Sequence, residues 1–177
     1  MALTPTERKI KSCLERLRRQ IYSGDDSEIL CWVIPGALAC SQRPLRDHPV
    51  YGGPDPPPLP PEACPLVEEW TQRVLDSGIC SVICLLELAQ LDKHYVHGGL
   101  GLPGGGLLEY YKRRGLEVRH QPTTDYQRPS EELMENVLSD FDELTPPVLL
   151  HCSAAIDRTV PVAAFLVEQR GNSEDAA

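Results

Sequence analysis

The chain has 177 residues, of which 41% are hydrophobic and 24% charged, the balance of a globular protein that can bury a core. Its net charge of −9 argues against general nucleic-acid binding, because that activity needs a basic surface. The polar start lacks the apolar segment of a signal peptide, and no run approaches the ~20 apolar residues of a membrane span. Seven cysteines without paired spacing predict free thiols in a reducing, cytoplasmic setting.

Residues 1–24 predict an amphipathic helix that packs on the rest of the chain. Thr4 and Glu7 have the spacing of a capping box, and Pro5 takes the first helical position. Apolar residues recur at helical spacing up to Gly24, namely Ile10, Leu14, Leu17 and Ile21. The opposite face is basic, which is typical of a solvated surface; a surface for acidic partners or anionic lipid headgroups is the alternative.

Residues 25–177 predict a single domain in which short apolar strands alternate with helices. The predicted strands are 29–34, 79–86, 116–120 and 147–151, and the predicted helices are 65–77, 107–114, 131–144 and 162–167. A Pro-rich loop at 44–65 and a Gly-rich loop at 98–106 interrupt the pattern. The pattern predicts an α/β fold whose central, mostly parallel sheet of about four to five strands has helices on both faces.

Both loops also admit a binding interpretation. The Pro-rich segment favours polyproline II, which is more typical of a surface loop than of a docking peptide. The glycines of the second loop match a dinucleotide fingerprint, but no strand leads directly into them, so we interpret the segment as a flexible loop. His94 and His97 lack the further ligands of a metal site, and we predict neither a metal nor another cofactor.

The most informative segment is 151–159, a loop between an apolar strand and a helix-forming run. Cys152 is followed six residues later by Arg158. A strand, a loop and a helix in this order place backbone N–H groups and a positive helix end around one point, where a thiol ionises more readily. A guanidinium can clamp two phosphate oxygens. The segment therefore predicts displacement of phosphate through a cysteinyl-phosphate intermediate.

The residues of this loop can be given separate roles. Cys152 is the predicted nucleophile, and Arg158 the predicted clamp on the equatorial oxygens. Backbone amides across the loop are expected to bind the phosphate, contributed by Ser153, Ala154, Ala155, Ile156, Asp157 and Arg158. We expect the Thr159 hydroxyl to hydrogen-bond the sulfur, and His151 to order the loop and support thiolate formation rather than act as the base.

Asp125 is the predicted general acid for the leaving oxygen. It follows a strand, and ligands of α/β proteins bind at the carboxyl ends of strands. A surface aspartate that caps a turn is the alternative. Asp140 and Asp142 lie in a helix predicted to lead away from the site. Asp157 can hold a neighbouring side chain or a water molecule, but its charge opposes phosphate binding.

His151-Cys152-x5-Arg158-Thr159, with Asp125 upstream on a Pro-bounded loop, resembles the cysteine-dependent protein tyrosine phosphatases in their compact dual-specificity branch. The resemblance covers roughly residues 29–171. It implies metal-free phosphomonoester hydrolysis by the cysteine, the arginine and the aspartate. The implied partners are proteins carrying phosphotyrosine, phosphoserine or phosphothreonine, or another phosphomonoester; nothing indicates an oligomeric state.

The sequence departs from this family in three places. Ala155 stands where glycine is usual, so a methyl group is expected to tilt an amide or crowd the phosphate oxygens. The ending Asp157-Arg158-Thr159 is similar to that of the myotubularin and Sac phosphoinositide phosphatases. Members usually add one or two helices after the position of Gly171, so either the chain is shortened or one side of the core is exposed.

Three hypotheses follow from these observations. The first is a protein tyrosine or dual-specificity phosphatase. The second is a phosphatase of phosphoinositides or other small phosphomonoesters. The third is a catalytically weak pseudophosphatase that binds phosphorylated residues.

Overall fold

The computed structural model describes residues 1–171. Its helices and strands follow one another along the chain as α1 (Pro5–Tyr22), β1 (Cys31–Ile34), β2 (Leu38–Ser41), a 3₁₀ turn (Pro61–Ala63), α2 (Cys64–Asp76), β3 (Ser81–Cys84), α3 (Leu88–Tyr95), α4 (Leu107–Arg113), β4 (Glu117–His120), α5 (Glu131–Glu143), β5 (Val148–His151) and α6 (Thr159–Arg170). None of these described helices is both long and apolar enough to cross a membrane.

The five strands form one sheet in the order β1-β2-β5-β3-β4. Only the pairing of β1 with β2 is antiparallel among the described strands, and the other three pairings are parallel. Parallel neighbours need crossover connections, and helices make those connections here. The predicted α/β class, with a mostly parallel sheet, is confirmed.

The sheet separates two hydrophobic cores. Successive residues of a strand point to opposite faces, so Val148 and Leu150 of β5 join one core and Leu149 the other. Helices α1, α5 and α6 cover the first face, and α2, α3 and α4 the second. Every residue of β2, β3 and β5 is buried, as expected of strands that are covered on both faces.

The N-caps that the sequence predicts for α1 and α5 are present in the structure. The Thr4 side chain accepts from the Glu7 amide at 3.1 Å, and the Glu7 carboxylate accepts from the Thr4 amide at 2.8 Å. Ser130 Oγ accepts from the Leu133 amide at 3.2 Å and caps α5. Helix α1 then buries its apolar stripe against α6 and β1.

The sequence prediction missed β2 and α3. β2 follows the Pro35-Gly36 turn, and its four residues Leu38–Ser41 are too few to show a period of their own. α3, Leu88–Tyr95, has only eight residues and directly precedes the Gly-rich segment. The sequence analysis therefore predicted neither a strand at 38–41 nor a helix at 88–95.

The structure also corrects the prediction that all cysteines are free thiols. Cys13 of α1 and Cys31 of β1 form a disulfide, with Cα atoms 6.4 Å apart. They are separated by 18 residues and meet only because α1 packs beside β1, so their spacing carried no signal. Cys80, one of the free cysteines, is half-buried, and its thiol donates to the Gly78 carbonyl at 3.4 Å.

Candidate active site

The candidate residues lie at the carboxyl ends of four neighbouring strands, the inner strands β2, β5 and β3 and the edge strand β4. In the parallel register His151 lies beside both Ser41 and Cys84, and Cys84 lies beside His120. Strands β2, β3, β4 and β5 therefore end at the same level. The segments that follow them start at one edge of the sheet, where ligands of such folds bind.

Cys152 leaves β5 at this edge and begins the loop that leads to α6. Its side chain is 2% exposed, and it lines a cleft of about 270 Å³ together with Ser153, Ala154 and Asp157. Arg43, which follows β2, holds the loop: its amide donates to the Ser153 carbonyl at 2.9 Å, and its Nε donates to Ser153 Oγ at 3.4 Å.

Ala155 has φ of 64°, the left-handed conformation that glycine adopts freely. The loop therefore keeps the backbone shape that a glycine would allow. The Ala155 side chain is fully buried in the core beneath the loop and does not line the cleft. The Ala155 methyl group therefore packs in the core, and the expectation that it tilts an amide or crowds the phosphate oxygens stays a prediction.

Arg158 is fully buried at the start of α6, and one end of its guanidinium is anchored. Its Nη1 donates to Gln90 Oε1 at 2.8 Å, to the Thr123 carbonyl at 3.1 Å and to the Leu85 carbonyl at 3.3 Å. Nε and Nη2 have no hydrogen-bond acceptor among the described residues, although Nη2 lies 3.1 Å from Asp125 Oδ1. That contact is an ion pair whose angles do not suit a hydrogen bond. One edge of the guanidinium thus keeps two donors for an oxyanion.

Asp125 lies on the loop after β4 and lines the same cleft as Cys152. Its Oδ2 accepts from Gln90 Nε2 at 3.0 Å, and its Oδ1 accepts from the Tyr126 amide at 3.0 Å. Tyr126 has φ of 59° and is 82% exposed, so the backbone turns sharply at the aspartate. The carboxylate is oriented by the amide groups of two neighbours and by Arg158.

His151 is fully buried below the loop and faces away from the cleft. Burial lowers the pKa of its imidazole to about 4, so the ring is neutral near pH 7. Nδ1 lies 3.2 Å from the Cys152 carbonyl, an acceptor only, so Nδ1 carries the proton and donates. Nε2 then accepts from the Tyr111 hydroxyl, 3.3 Å away. These bonds hold the Cys152 backbone at the end of β5. Because both ring nitrogens are hydrogen-bonded, the imidazole has no free nitrogen that could act as a base.

Thr159 is fully buried as the first residue of α6, and its Oγ1 has no partner among the described residues. A free hydroxyl at this position is what the predicted bond to the cysteine sulfur would need.

Two other aspartates make contacts away from the site. Asp140 accepts from Gln121 at 2.6 Å, and Asp142 pairs with Arg170.

Charges of both signs line the cleft. Arg46 pairs with Asp47 at 3.2 Å, and Lys93 pairs with Asp55 at 2.6 Å. His94 also lines it, and burial lowers the pKa of its ring to about 3. Within residues 1–171, no group of three or more His, Cys, Asp and Glu side chains is arranged to hold a metal ion.

Sequence reasoning missed two residues of this site. Gln90 belongs to α3, which was not predicted, and no spacing linked it to Asp125 or Arg158, 35 and 68 residues further along the chain. Arg43 follows β2, which was not predicted either, and its contact with Ser153 spans 110 residues. For Gln90 the only signal available was that it follows the predicted strand 79–86.

Solved structures with a similar fold are phosphatases by name. The active form of Tk-PTP is 22% identical, covers 82% of this chain and 76% of its own, and has a TM-score of 0.50. Kinase associated phosphatase, with its catalytic-site cysteine replaced by serine, is 17% identical, with coverage of 75% and 65% and a TM-score of 0.53. A DUF442 candidate phosphatase from Shewanella putrefaciens CN-32 is 18% identical, with coverage of 82% and 74% and a TM-score of 0.50.

No protein-family model matches the sequence, and no curated protein matches it significantly. At sequence identities below 25%, these structures establish only the architecture of the chain. Its chemistry has to be argued from the residues of the site. The TM-scores of 0.50 to 0.53 show that the chain shares the overall fold of these structures. The described residues therefore have the fold of the cysteine-dependent protein tyrosine phosphatases.

Proposed function

We propose that this chain is a cysteine-dependent phosphomonoester hydrolase, a protein tyrosine or dual-specificity phosphatase. One observation carries the proposal: Arg158 is buried and anchored through Nη1, while its Nε and Nη2 make no hydrogen bond with the described residues, Nη2 facing only the Asp125 carboxylate. A buried cation with two unbonded donors on one edge suits a doubly charged phosphate group.

The proposed reaction has two steps. The Cys152 thiolate attacks phosphorus, the bond from phosphorus to the leaving oxygen breaks, and Asp125 gives that oxygen a proton. A water molecule then attacks the cysteinyl-phosphate and loses its proton to Asp125. The sulfur–phosphorus bond breaks, inorganic phosphate is released, and Thr159 Oγ1 hydrogen-bonds the departing thiolate. Loop amides and Arg158 hold the equatorial oxygens in both steps.

A phosphatase of phosphoinositides or other small polyanions is the second candidate. Arg46 and Lys93 line the cleft beside the catalytic loop, and each already pairs with an aspartate. A substrate with a second phosphate would have to compete for these cations. The observation favours this candidate less than the first, because both pairs are satisfied within the protein.

Hydrolysis of an aryl phosphate tests the proposal. Wild type should release phosphate, and Cys152→Ser should fall to the uncatalysed background because a hydroxyl is a poor nucleophile here. Asp125→Asn should lower kcat roughly 100-fold, since general acid catalysis contributes at least that much. Cys80→Ser, which removes a half-buried thiol outside the cleft, is the matched control and should retain the wild-type rate.

Equal rates for wild type and Cys152→Ser would contradict the enzymatic function and leave a phosphate-binding pseudophosphatase. If wild type is active, a panel of phosphotyrosine peptides, phosphothreonine peptides and inositol phosphates ranks the two candidates by kcat/KM. A preference for inositol phosphates would replace the first candidate by the second.

A further inference from the structure

Gln90 of α3 bridges the two charged groups that the proposed reaction uses, the buried Arg158 and the cleft residue Asp125. Its Oε1 accepts from Arg158 Nη1 at 2.8 Å, and its Nε2 donates to Asp125 Oδ2 at 3.0 Å. A carboxamide is suited to this position, because its oxygen only accepts and its nitrogen only donates. A carboxylate there would repel Asp125, and an ammonium would repel Arg158.

The same side chain is itself held in place. Gln90 Oε1 also accepts from the Glu87 amide at 3.3 Å, as part of the cap that starts α3. The Glu87 and Gln90 positions follow β3, whose last residue Cys84 lies beside His151 in the register. The amide group is thus fixed by the helix start and by the sheet edge, and it faces the cleft.

Its two bonds control different atoms of the reaction. The bond to Nη1, together with the bonds from Nη1 to the Leu85 and Thr123 carbonyls, anchors one end of the Arg158 guanidinium, whose Nε and Nη2 have no hydrogen-bond acceptor among the described residues. The bond to Oδ2 fixes the rotation of the Asp125 carboxyl group, whose other oxygen is held by the Tyr126 amide. Both effects come from the side-chain amide of Gln90, which is held at the start of α3.

We infer that Gln90 is a positioning residue that couples the general acid Asp125 to the phosphate clamp Arg158. The inference rests on the proposed phosphatase function. Gln90 acts on leaving-group protonation by orienting Asp125, and it acts on phosphate binding by directing the free edge of Arg158. Transfer of a proton depends on geometry at the level of a hydrogen bond, so loss of the orienting donor slows the step that needs the acid.

The test compares two substrates that differ in their need for an acid. Phenyl phosphate has a poor leaving group and needs a proton from Asp125, whereas 2,4-dinitrophenyl phosphate expels a stable phenolate. Gln90→Ala should lower kcat/KM for phenyl phosphate roughly 10-fold or more, and for the dinitrophenyl ester by no more than about 3-fold. A purely structural defect would lower both values by the same factor.

A double-mutant cycle on phenyl phosphate isolates the coupling to Asp125. In the Asp125→Ala background, Gln90→Ala should cost less than about 3-fold, because the group that it orients is already missing. Full additivity of the two losses, or equal losses on both substrates, would overturn the inference. If wild type is no faster than Cys152→Ser, the proposed function fails first and the inference fails with it, so the two failures are distinguishable.

Gln72→Ala is the matched control. Gln72 also joins an arginine and an aspartate: it accepts from Arg114 and donates to Asp76 at 2.8 Å, but it lies on the exposed face of α2, outside the cleft. Its replacement should leave both kcat/KM values within about 2-fold of wild type. A loss like that of Gln90→Ala would show that such bridges matter only for folding.

Gln90→Glu keeps the shape of the side chain and covers the case in which the alanine variant folds poorly. A carboxylate at this position should pair with Arg158 and compete with phosphate, so inhibition by inorganic phosphate should weaken roughly 10-fold. Wild-type inhibition and wild-type rates in Gln90→Glu would overturn the inference.

Discussion

Ala155 combines two small effects of opposite sign. A non-glycine residue in the left-handed region costs roughly 1–2 kcal/mol relative to glycine. Against this, its buried methyl group contributes about 0.8 kcal/mol of hydrophobic stabilisation, and alanine restricts the unfolded chain more than glycine does. The two effects nearly cancel, and neither involves the face of the loop that lines the cleft.

We therefore predict that Ala155→Gly changes the free energy of unfolding by less than about 1 kcal/mol and kcat/KM by less than about 5-fold. Ala155→Val is the contrasting variant, since a β-branched residue is strongly disfavoured at positive φ and should destabilise by about 2 kcal/mol or more. Urea unfolding and aryl phosphate hydrolysis measure both effects. A rise in rate of 10-fold or more on introducing glycine would show that the methyl group does obstruct catalysis.

At the scale of elements, the position of α1 depends on packing and on one covalent link. The helix buries Ile10, Leu14, Leu17 and Ile21 against the core shared with α5 and α6. The disulfide between Cys13 and Cys31 then joins α1 to the edge strand β1. We propose that residues 1–24 fold together with the rest of the chain rather than as a separate arm.

Removal of this disulfide should lower stability without abolishing the fold. Closing a loop of 18 residues in the unfolded chain is worth roughly 3 kcal/mol, so Cys13→Ser should lower the free energy of urea unfolding by about that amount under oxidising conditions. Cys64→Ser, at a half-buried free thiol, is the control. Thiol titration in denaturant without reductant should find five free thiols. Seven thiols would contradict the bridge and support the sequence-based prediction.

At the scale of the whole molecule, buried histidines make stability depend on pH. Burial lowers the pKa of His151 to about 4 and that of His94 to about 3, from an ordinary value of 6.5. The pKa of His48 is lowered as well, for the same reason. Between these values the unfolded chain binds protons that the folded chain does not. The stabilisation is therefore complete above pH 6.5 and is lost as the pH falls towards 4.

We predict that the free energy of unfolding falls by roughly 1 kcal/mol per pH unit or more between pH 6 and pH 5. His94→Gln and His151→Gln should each flatten this slope, because each removes one group that takes up a proton on unfolding. Urea denaturation at several pH values measures the effect. A slope that is the same in wild type and both variants would show that the buried rings are not the cause.

The sequence determined those features that arise from local patterns. Short apolar runs defined most strands and apolar residues at a period of 3.6 defined most helices, capping residues marked the starts of α1 and α5, and Thr4 and Ser130 are bonded as expected. The spacing of Cys152 and Arg158, between a strand and a helix, by itself indicates a phosphate-binding loop. Short elements such as β2 and α3 were missed, because a few residues cannot show a period.

Only the tertiary structure decided which distant residues meet. The parallel register sets the ends of β2, β3, β4 and β5 at one level. This brings Gln90 within hydrogen-bond distance of both Asp125 and Arg158. Packing of α1 beside β1 likewise brings Cys13 and Cys31 together, and the Ala155 methyl group packs in the core. Contacts between elements depend on how helices cross and strands align, whereas the one-dimensional pattern of a sequence records only which face of each element is apolar.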